Sequence, residues 1–279
     1  MAERDSRLGL APLLAEREHD RNEEIGGGAT DAFNLARGAV ESPRVSVVIP
    51  TLNEARNLPH VFERLPKDLH EVIVVDGHST DGTPELAREL RRDVRIVEQT
   101  GRGKGDALSA GFRACTGEII VMLDADGSTD PAEIPRFVAA LREGADFVKG
   151  SRFAQGGGSS DITAARRLGN RALNAVVNMI YGTSYTDLCY GYNAFWARCL
   201  PYMRVDCNGF EVETLINVRI AKAGLVIHEV PSFESERLHG ASNLKVVRDG
   251  LRVLRVIGLE WLRVSSASVL LRRLLGVTE

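Results

Sequence analysis

Two carboxylates, Asp124 and Asp126, stand at i and i+2 just past the apolar run Ile119-Ile-Val-Met-Leu123. Such a run reads as a buried strand, and the C-terminal end of a strand is where open α/β sheets bind ligands. Paired carboxylates in that loop can turn oxygens toward one hard cation, which completes its shell with water and substrate phosphates. Alone, the pair also fits a polar turn with an Asp cap. The residues elsewhere in the chain favour a metal–diphosphate site.

Pro50-Thr-Leu-Asn53-Glu54 and Asp76-Gly-His-Ser-Thr-Asp-Gly82 each follow another apolar run, so a parallel sheet brings both loops to the edge that carries Asp124 and Asp126. Asp76 can accept from a base imide or amide N–H, and Glu54 can do similar work on base or ribose. Capping and turn formation remain alternatives for both loops. Gly101-Arg-Gly-Lys104-Gly-Asp106 leads into a helix whose N-terminus favours anions. Its glycines allow close backbone approach, and Lys104 offsets phosphate charge. It is neither a Walker loop nor a dinucleotide fingerprint.

Gly150-Ser151-Arg152 ends a further strand, and Arg166-Arg167 open the following helix; fixed guanidinium forks suit phosphate oxygens. Arg166 and Arg167 also fit a solvated helix face. Asp187, one carboxylate among aromatics in Tyr185–Phe195, is a candidate general base, an orienter of an acceptor, or a helix cap. Arg237-Leu-His-Gly-Ala-Ser242 has the makings of a phosphate-seeking lid. Beyond it, Lys245, Arg248, Arg252 and Arg255 form one helical stripe beside Leu244, Val247, Leu251 and Leu254. That helix either lies on an anionic membrane surface or docks on the domain with a solvated basic face.

The elements that must position these groups follow from periodicity. Runs at Val45–Ile49, Val72–Val75, Val94–Val97, Ile119–Leu123 and Phe147–Val148 alternate with helical patterns, which predicts a mostly parallel sheet with helices on both faces. After Gly150 come a glycine loop at 156–158, a helix over about Thr163–Tyr181, an aromatic segment, a helix over Phe210–Ala223, a strand over Val226–Val230 and a long terminal helical region. Residues 1–42 read as a mobile extension, 43–235 as the main α/β domain, and 236–279 as lid and basic helices.

At 279 residues, 44% hydrophobic and 26% charged, the chain can bury one large core or two modest ones. Eight Lys/Arg against three Asp/Glu from Arg237 to Glu279 make a local +5, leaving −8 on the rest of a chain whose net charge is −3. Four cysteines without C-x-x-C pairing or metal-ligand spacing read as reduced thiols, so an intracellular, cytoplasmic setting is expected. No secretory leader and no bilayer-spanning segment are expected. Nucleic acid is not among the expected partners.

In order, S-V-V-I-P-T-L-N-E, V-V-D-G-H-S-T-D-G-T, G-K-G-D-A, D-A-D, G-S-R, D-L-C-Y-G-Y and R-L-H-G-A-S-N-L resemble the family-2 glycosyltransferases of GT-A fold, within them the dolichol-phosphate mannose synthase branch. The resemblance covers roughly Val45–Leu254. It implies a Rossmann-like GT-A domain with a C-terminal helical extension. It further implies that Pro50, Asn53, Glu54 and Asp76 bind the nucleoside, and that Asp124 and Asp126 hold Mg²⁺ or Mn²⁺ on the diphosphate. Arg152, Arg166 or Arg167, Arg237 and Ser242 would surround acceptor or leaving-group phosphate. The chain departs from that branch at Gly77-His78, at Ser128 where a Gln commonly assists the metal, and in lacking the C-terminal membrane helices of many relatives. The Q-x-x-R-W motif of processive synthases is also missing, so a single transfer is expected.

The resulting expectation is metal-dependent, inverting transfer of one hexose from a UDP- or GDP-sugar to polyprenyl phosphate, with Asp126, Asp187 and Arg152 closest to the chemistry. Two alternatives stay open: transfer to a hydroxyl of a small molecule, with Asp187 as base, and a nucleotide-sugar-binding protein without turnover. Peripheral contact with the cytoplasmic membrane face accompanies the first reading.

Overall fold

The computed structural model describes residues 42–240 and 245–274. The expected N-terminal extension, apart from Ser42, lies outside the described residues, as does Ser242. The β-branched run Val45–Thr51 forms β1, which is almost wholly buried. It pairs in parallel with β2 (Glu71–Asp76) and with β4 (Ile119–Met122), in the registers Val47↔Val72 and Val47↔Val121. With β3 (Arg95–Glu98), β5 (Phe147–Ser151), β7 (Asn193–Trp196) and β8 (Ile227–Pro231) they make a seven-stranded sheet ordered β3-β2-β1-β4-β7-β5-β8. A two-stranded parallel pair, β6 (Gly158–Ser159) and β9 (Phe233–Glu234), stands apart from it.

The strand hidden in the aromatic segment is the main departure from expectation. Asn193–Trp196 runs antiparallel between β4 and β5, pairing Ala194 with both Val121 and Val148. Small Ala194 fits beneath the helices, while Phe195 stacks on Phe147 at 5.9 Å and meets Phe112 edge-on at 5.3 Å. Because β7 opposes both neighbours, β4 and β5 point the same way. Arg152 therefore emerges at the same sheet edge as Asp124 and Asp126.

Alternate residues of each strand serve opposite layers, as the pleat requires. Val47, Ile49, Val72 and Val121 pack with α1 (Leu58–Glu63), α2 (Thr83–Leu90) and α4 (Ile134–Arg142) through Leu58, Val61, Ala87, Phe137 and Leu141. Val48, Ile73, Ile120, Phe147 and Phe195 pack on the other face with α3 (Lys104–Ala114), α6 (Leu200–Met203) and α7 (Val212–Lys222). Helix α3 lies so close that a Cβ at Gly111 would stand 2.4 Å from Val48 Cγ1.

Helix α5 (Ala164–Tyr181) is capped by Thr163, whose side chain accepts from the Arg166 amide. Together with α7 it seats the terminal helix α8 (Val246–Leu274). Asp249, Val253, Ile257 and Glu260, spaced along one face of α8, are buried. Val253 and Ile257 meet Val177, Tyr185, Leu188 and Val218. Glu260 receives Arg219 at 2.7 Å, Lys222 at 2.6 Å and Arg263 at 2.6 Å. Burial alone would raise the Glu260 pKa, but hydrogen bonds from Arg219 and Lys222 hold it at about 2, below its ordinary 4.5. A depressed folded-state pKa stabilises the fold above pH 4.5, and the contribution is lost as pH falls toward 2. Glu260→Gln is therefore expected to lower the urea midpoint at pH 7, with the gap to wild type closing between pH 4.5 and 2. A gap that stays constant over that window would mean that Glu260 does not anchor α8 through its charge.

Candidate active site

The C-terminal ends of β1, β2, β4 and β5 open on a cavity of about 1650 Å³ whose lining includes Pro50, Glu54, Lys104, Asp124, Asp126, Arg152, Glu213 and Arg237. Leu123, buried, donates its amide to Val48 O at 3.2 Å and so fixes the point where the chain leaves β4 for Asp124. Asp124 Oδ1 lies 2.5 Å from Lys104 Nζ, which also meets Glu213 Oε1 at 2.7 Å. Burial pulls the Lys104 ammonium pKa down, but Asp124 and Glu213 more than reverse this, leaving it raised. Asp126 Oδ1 accepts from the Ser128 amide at 3.0 Å and hydroxyl at 2.7 Å, and its Oδ2 faces Arg237 Nη2 at 3.1 Å.

Among the described residues no three His, Cys, Asp or Glu side chains converge as a metal site. The protein offers Asp124 and Asp126 in one loop, not a cage. That donor set suits a hard cation that keeps waters and takes its remaining oxygens from phosphates, as Mg²⁺ does. Ser128, the departure from that branch's Gln, donates its amide and hydroxyl to Asp126 and so orients it.

Arg152 is fixed from two sides. Its Nε and Nη2 donate to Asp187 at 2.7 and 2.9 Å, and its Nη1 donates to Glu234 at 3.0 and 3.1 Å. The guanidinium lies over the Tyr190 ring, 4.9 Å from its centroid. Asp187 is fully buried and also accepts from the Arg152 amide at 3.1 Å and Asn170 Nδ2 at 3.1 Å. So placed it is an orienter of Arg152. Arg152 and Glu234, not Asp187, line the cavity.

The segment at 236–240 closes over the Asp124–Ser128 loop. Arg237 Nη1 donates to Glu54 Oε1 at 2.9 Å, and Asn57 Nδ2 donates to His239 O at 3.1 Å. Leu238 lies so near Gly127 (φ 75°) that a Cβ there would meet its Cδ1 at 2.7 Å. Glu54 Oε2 accepts from Asn57 at 2.5 Å, so both oxygens of Glu54 are engaged within the protein. Asn53, in the left-handed region at φ 57°, receives the Thr80 amide at 2.8 Å and ties the first two loops together. Asp76 Oδ2 accepts from the Ser79 amide at 3.0 Å, and its buried Oδ1 has no partner.

Arg166 pairs with Asp161 at 2.7 Å on the cavity wall, whereas Arg167 sits over Phe153 at 5.9 Å, outside that lining. The glycines beside Lys104 have a different use from the expected approach to phosphate. A Cβ at Gly103 or Gly105 would stand 2.2 or 2.1 Å from the carbonyls of Asn208 and Cys207, so they admit the chain's own backbone. Lys245, Arg248, Arg252 and Arg255 lie on the rim of the cavity, with Val247, Leu251 and Leu254 exposed beside them.

Glu213 and Glu234 escaped sequence reasoning. Glu213 carried a signal: it is a lone carboxylate in the first turn of a helix that is buried at nearly every position. Glu234 carried none, because its partners Arg152 and Ser159 are 82 and 75 residues away.

The model of glycosyl transferase family 2 matches residues 46–200. Glycosyltransferase AglJ of Haloferax volcanii is 34% identical over 209 residues, 74% of this chain and 68% of its own. The undecaprenyl-phosphate mannosyltransferase of Micrococcus luteus is 33% identical over 213 residues, 72% of this chain and 87% of its own. Among solved structures, glucosyl-3-phosphoglycerate synthase from Mycobacterium tuberculosis, in complex with Mn²⁺, UDP and glucosyl-3-phosphoglycerate, superposes with a TM-score of 0.64 at 25% identity, over 79% of this chain and 80% of that one.

Proposed function

We propose, for a chain that belongs to glycosyl transferase family 2, metal-dependent inverting transfer of one hexose from a nucleoside diphosphate sugar to a polyprenyl phosphate. The observation that carries the proposal is the meeting of Asp124 and Asp126 with Lys104, Arg152 and Arg237 around one cavity. Asp124 and Asp126 would hold Mg²⁺ or Mn²⁺, which neutralises the donor diphosphate as its charge grows. An acceptor phosphate oxygen attacks the anomeric carbon from the face opposite the diphosphate. The new C–O bond forms as the old one breaks, and the electron pair leaves on the nucleoside diphosphate. In this reading Arg237 and Lys104 would offset the departing charge, and Arg152 and Arg166 would bind the acceptor phosphate. Aligning the partners supplies much of the acceleration.

An ionised acceptor needs no base, and this matches the position of Asp187, whose oxygens are committed to Arg152 and Asn170. Sequence similarity to an undecaprenyl-phosphate mannosyltransferase supports the same acceptor class. Among the described residues no helix is long and apolar enough to cross a membrane. We place the protein peripherally at an anionic cytoplasmic leaflet, held by Lys245, Arg248, Arg252 and Arg255, at about 1 kcal/mol for each basic residue near the surface. Hexose transfer from the donor should therefore occur to polyprenyl phosphate but not to the free polyprenol. It should run faster on anionic than on neutral vesicles, and this advantage should fade as salt rises. Transfer to the alcohol alone would sink the phosphate-acceptor proposal, and equal rates on both vesicles at low salt would sink the membrane attachment.

A further inference from the structure

We infer that Glu213 is a positioning residue for metal uptake: it draws the Lys104 ammonium away from Asp124, so that this carboxylate is free to take a divalent cation. The inference rests on the metal–diphosphate reading above and adds to it a residue outside the proposed ligand pair.

Lys104 opens α3 and holds two carboxylates at once, Asp124 Oδ1 at 2.5 Å and Glu213 Oε1 at 2.7 Å. Three glycines make this possible. Those on either side of Lys104 let the start of α3 meet the backbone just before α7, where the Gly105 amide donates to Asn208 O at 3.0 Å. Gly191 backs the cluster: a Cβ there would stand 2.9 Å from Lys104 Nζ, 3.1 Å from Asp124 Oδ2 and 3.3 Å from Glu213 Oε1. The first turn of α7, and Glu213 with it, is therefore set against Lys104 by main-chain contact and not by the ion pair alone.

The three side chains lie at increasing depth: Asp124 is 33% exposed, Lys104 12% and Glu213 6%. A cation entering from the cavity meets Asp124 first, with the ammonium behind it and Glu213 deeper still. An ammonium held by Asp124 alone competes with the metal for that carboxylate and repels it. Glu213 counters both effects, because it offers Lys104 an opposite charge on the deeper side. Burial raises the Glu213 pKa, and the Lys104 ammonium is the chief influence against it. The carboxylate is tolerated at this depth as the lysine's partner. The charges agree with this role. Glu54, Asp124, Asp126 and Glu213 face Lys104 and Arg237 across contacts of 3.1 Å or less, which leaves two negative charges for a divalent cation to cancel, and one without Glu213.

The test is uptake of Mn²⁺ by the full chain without nucleotide, read from the electron paramagnetic resonance of the free ion, for wild type, Glu213→Gln, Lys104→Met and the double variant. Glu213→Gln leaves the ammonium on Asp124 and should raise the Mn²⁺ Kd about 10-fold or more, the size of loss expected when a group supporting a metal ligand is removed. In the Lys104→Met background the same change should move Kd by less than about 3-fold, because no ammonium is left to draw off. Lys104→Met should itself bind Mn²⁺ at least as tightly as wild type, and this arm still decides the matter if Glu213→Gln alone does not fold. No loss from Glu213→Gln, or an equal loss in both backgrounds, overturns the inference, as does weaker Mn²⁺ binding by Lys104→Met. If wild type takes up no Mn²⁺, the inference falls; if neither UDP nor GDP then restores uptake, the metal reading falls as well, which is a separate result.

Discussion

Asp126→Ala abolishes hexosyl transfer, lowering kcat/KM by at least about 10³-fold, because it removes a proposed metal-holding carboxylate opposite the leaving diphosphate. The fold should survive. Asp126 lies in a loop outside the core, and its partners keep other bonds: Arg237 retains Glu54, and Ser128 O still receives the Ser235 amide. The melting temperature should stay within about 3 °C of wild type, the shift expected for about 1 kcal/mol in a domain of this size. Donor binding should no longer respond to Mn²⁺, and EDTA should leave the variant's residual rate unchanged while reducing wild type to a similar level. Full activity of Asp126→Ala in the presence of EDTA would end the metal-dependent reading.

Asp187→Asn separates orientation from base catalysis. Replacing one member of a buried ion pair leaves Arg152 with Glu234 alone, and such losses cost on the order of 3–5 kcal/mol of stability. The variant should therefore unfold at markedly lower denaturant. If Asp187 only positions Arg152, transfer to polyprenyl phosphate falls modestly through the acceptor KM, and the shape of the pH–kcat profile is retained. A general base instead contributes roughly 10²- to 10⁴-fold to kcat, and its ionisation disappears from the profile when it is removed. A collapse of kcat with donor affinity preserved and an altered profile would favour a hydroxyl acceptor, and would require Asp187 to leave Arg152 in the working complex.

Local sequence determined most of the frame. The runs that became β1, β2 and β4 are β-branched and end in polar loops, so strand, helix and site edge were all legible from a few neighbouring residues. For the same reason Asp124 and Asp126 could be placed at the mouth of the sheet before any contact was known. The segment Asn193–Trp196 could not be read in this way. Its Asn-Ala-Phe-Trp has no length or alternation to mark a central strand, and only the gap between β4 and β5, filled by Ala194, makes it one.

Side-chain pairing was the other decision left to tertiary structure. Whether Asp187 faces an acceptor or Arg152 depends on a contact across 35 residues, and the hold of Glu234 on Arg152 spans 82. The glycines flanking Lys104 read as room for a ligand to approach the backbone, and the fold instead brought Cys207 and Asn208 into that space. On α8 the sequence determined that basic and apolar stripes run side by side, and the structure decided that a third face, through Val253, Ile257 and Glu260, is the one that docks. The division has a physical cause: periodicity and chain reversal are set by a few adjacent residues, whereas a buried charge goes wherever the folded chain offers an opposite charge and enough donors to replace water.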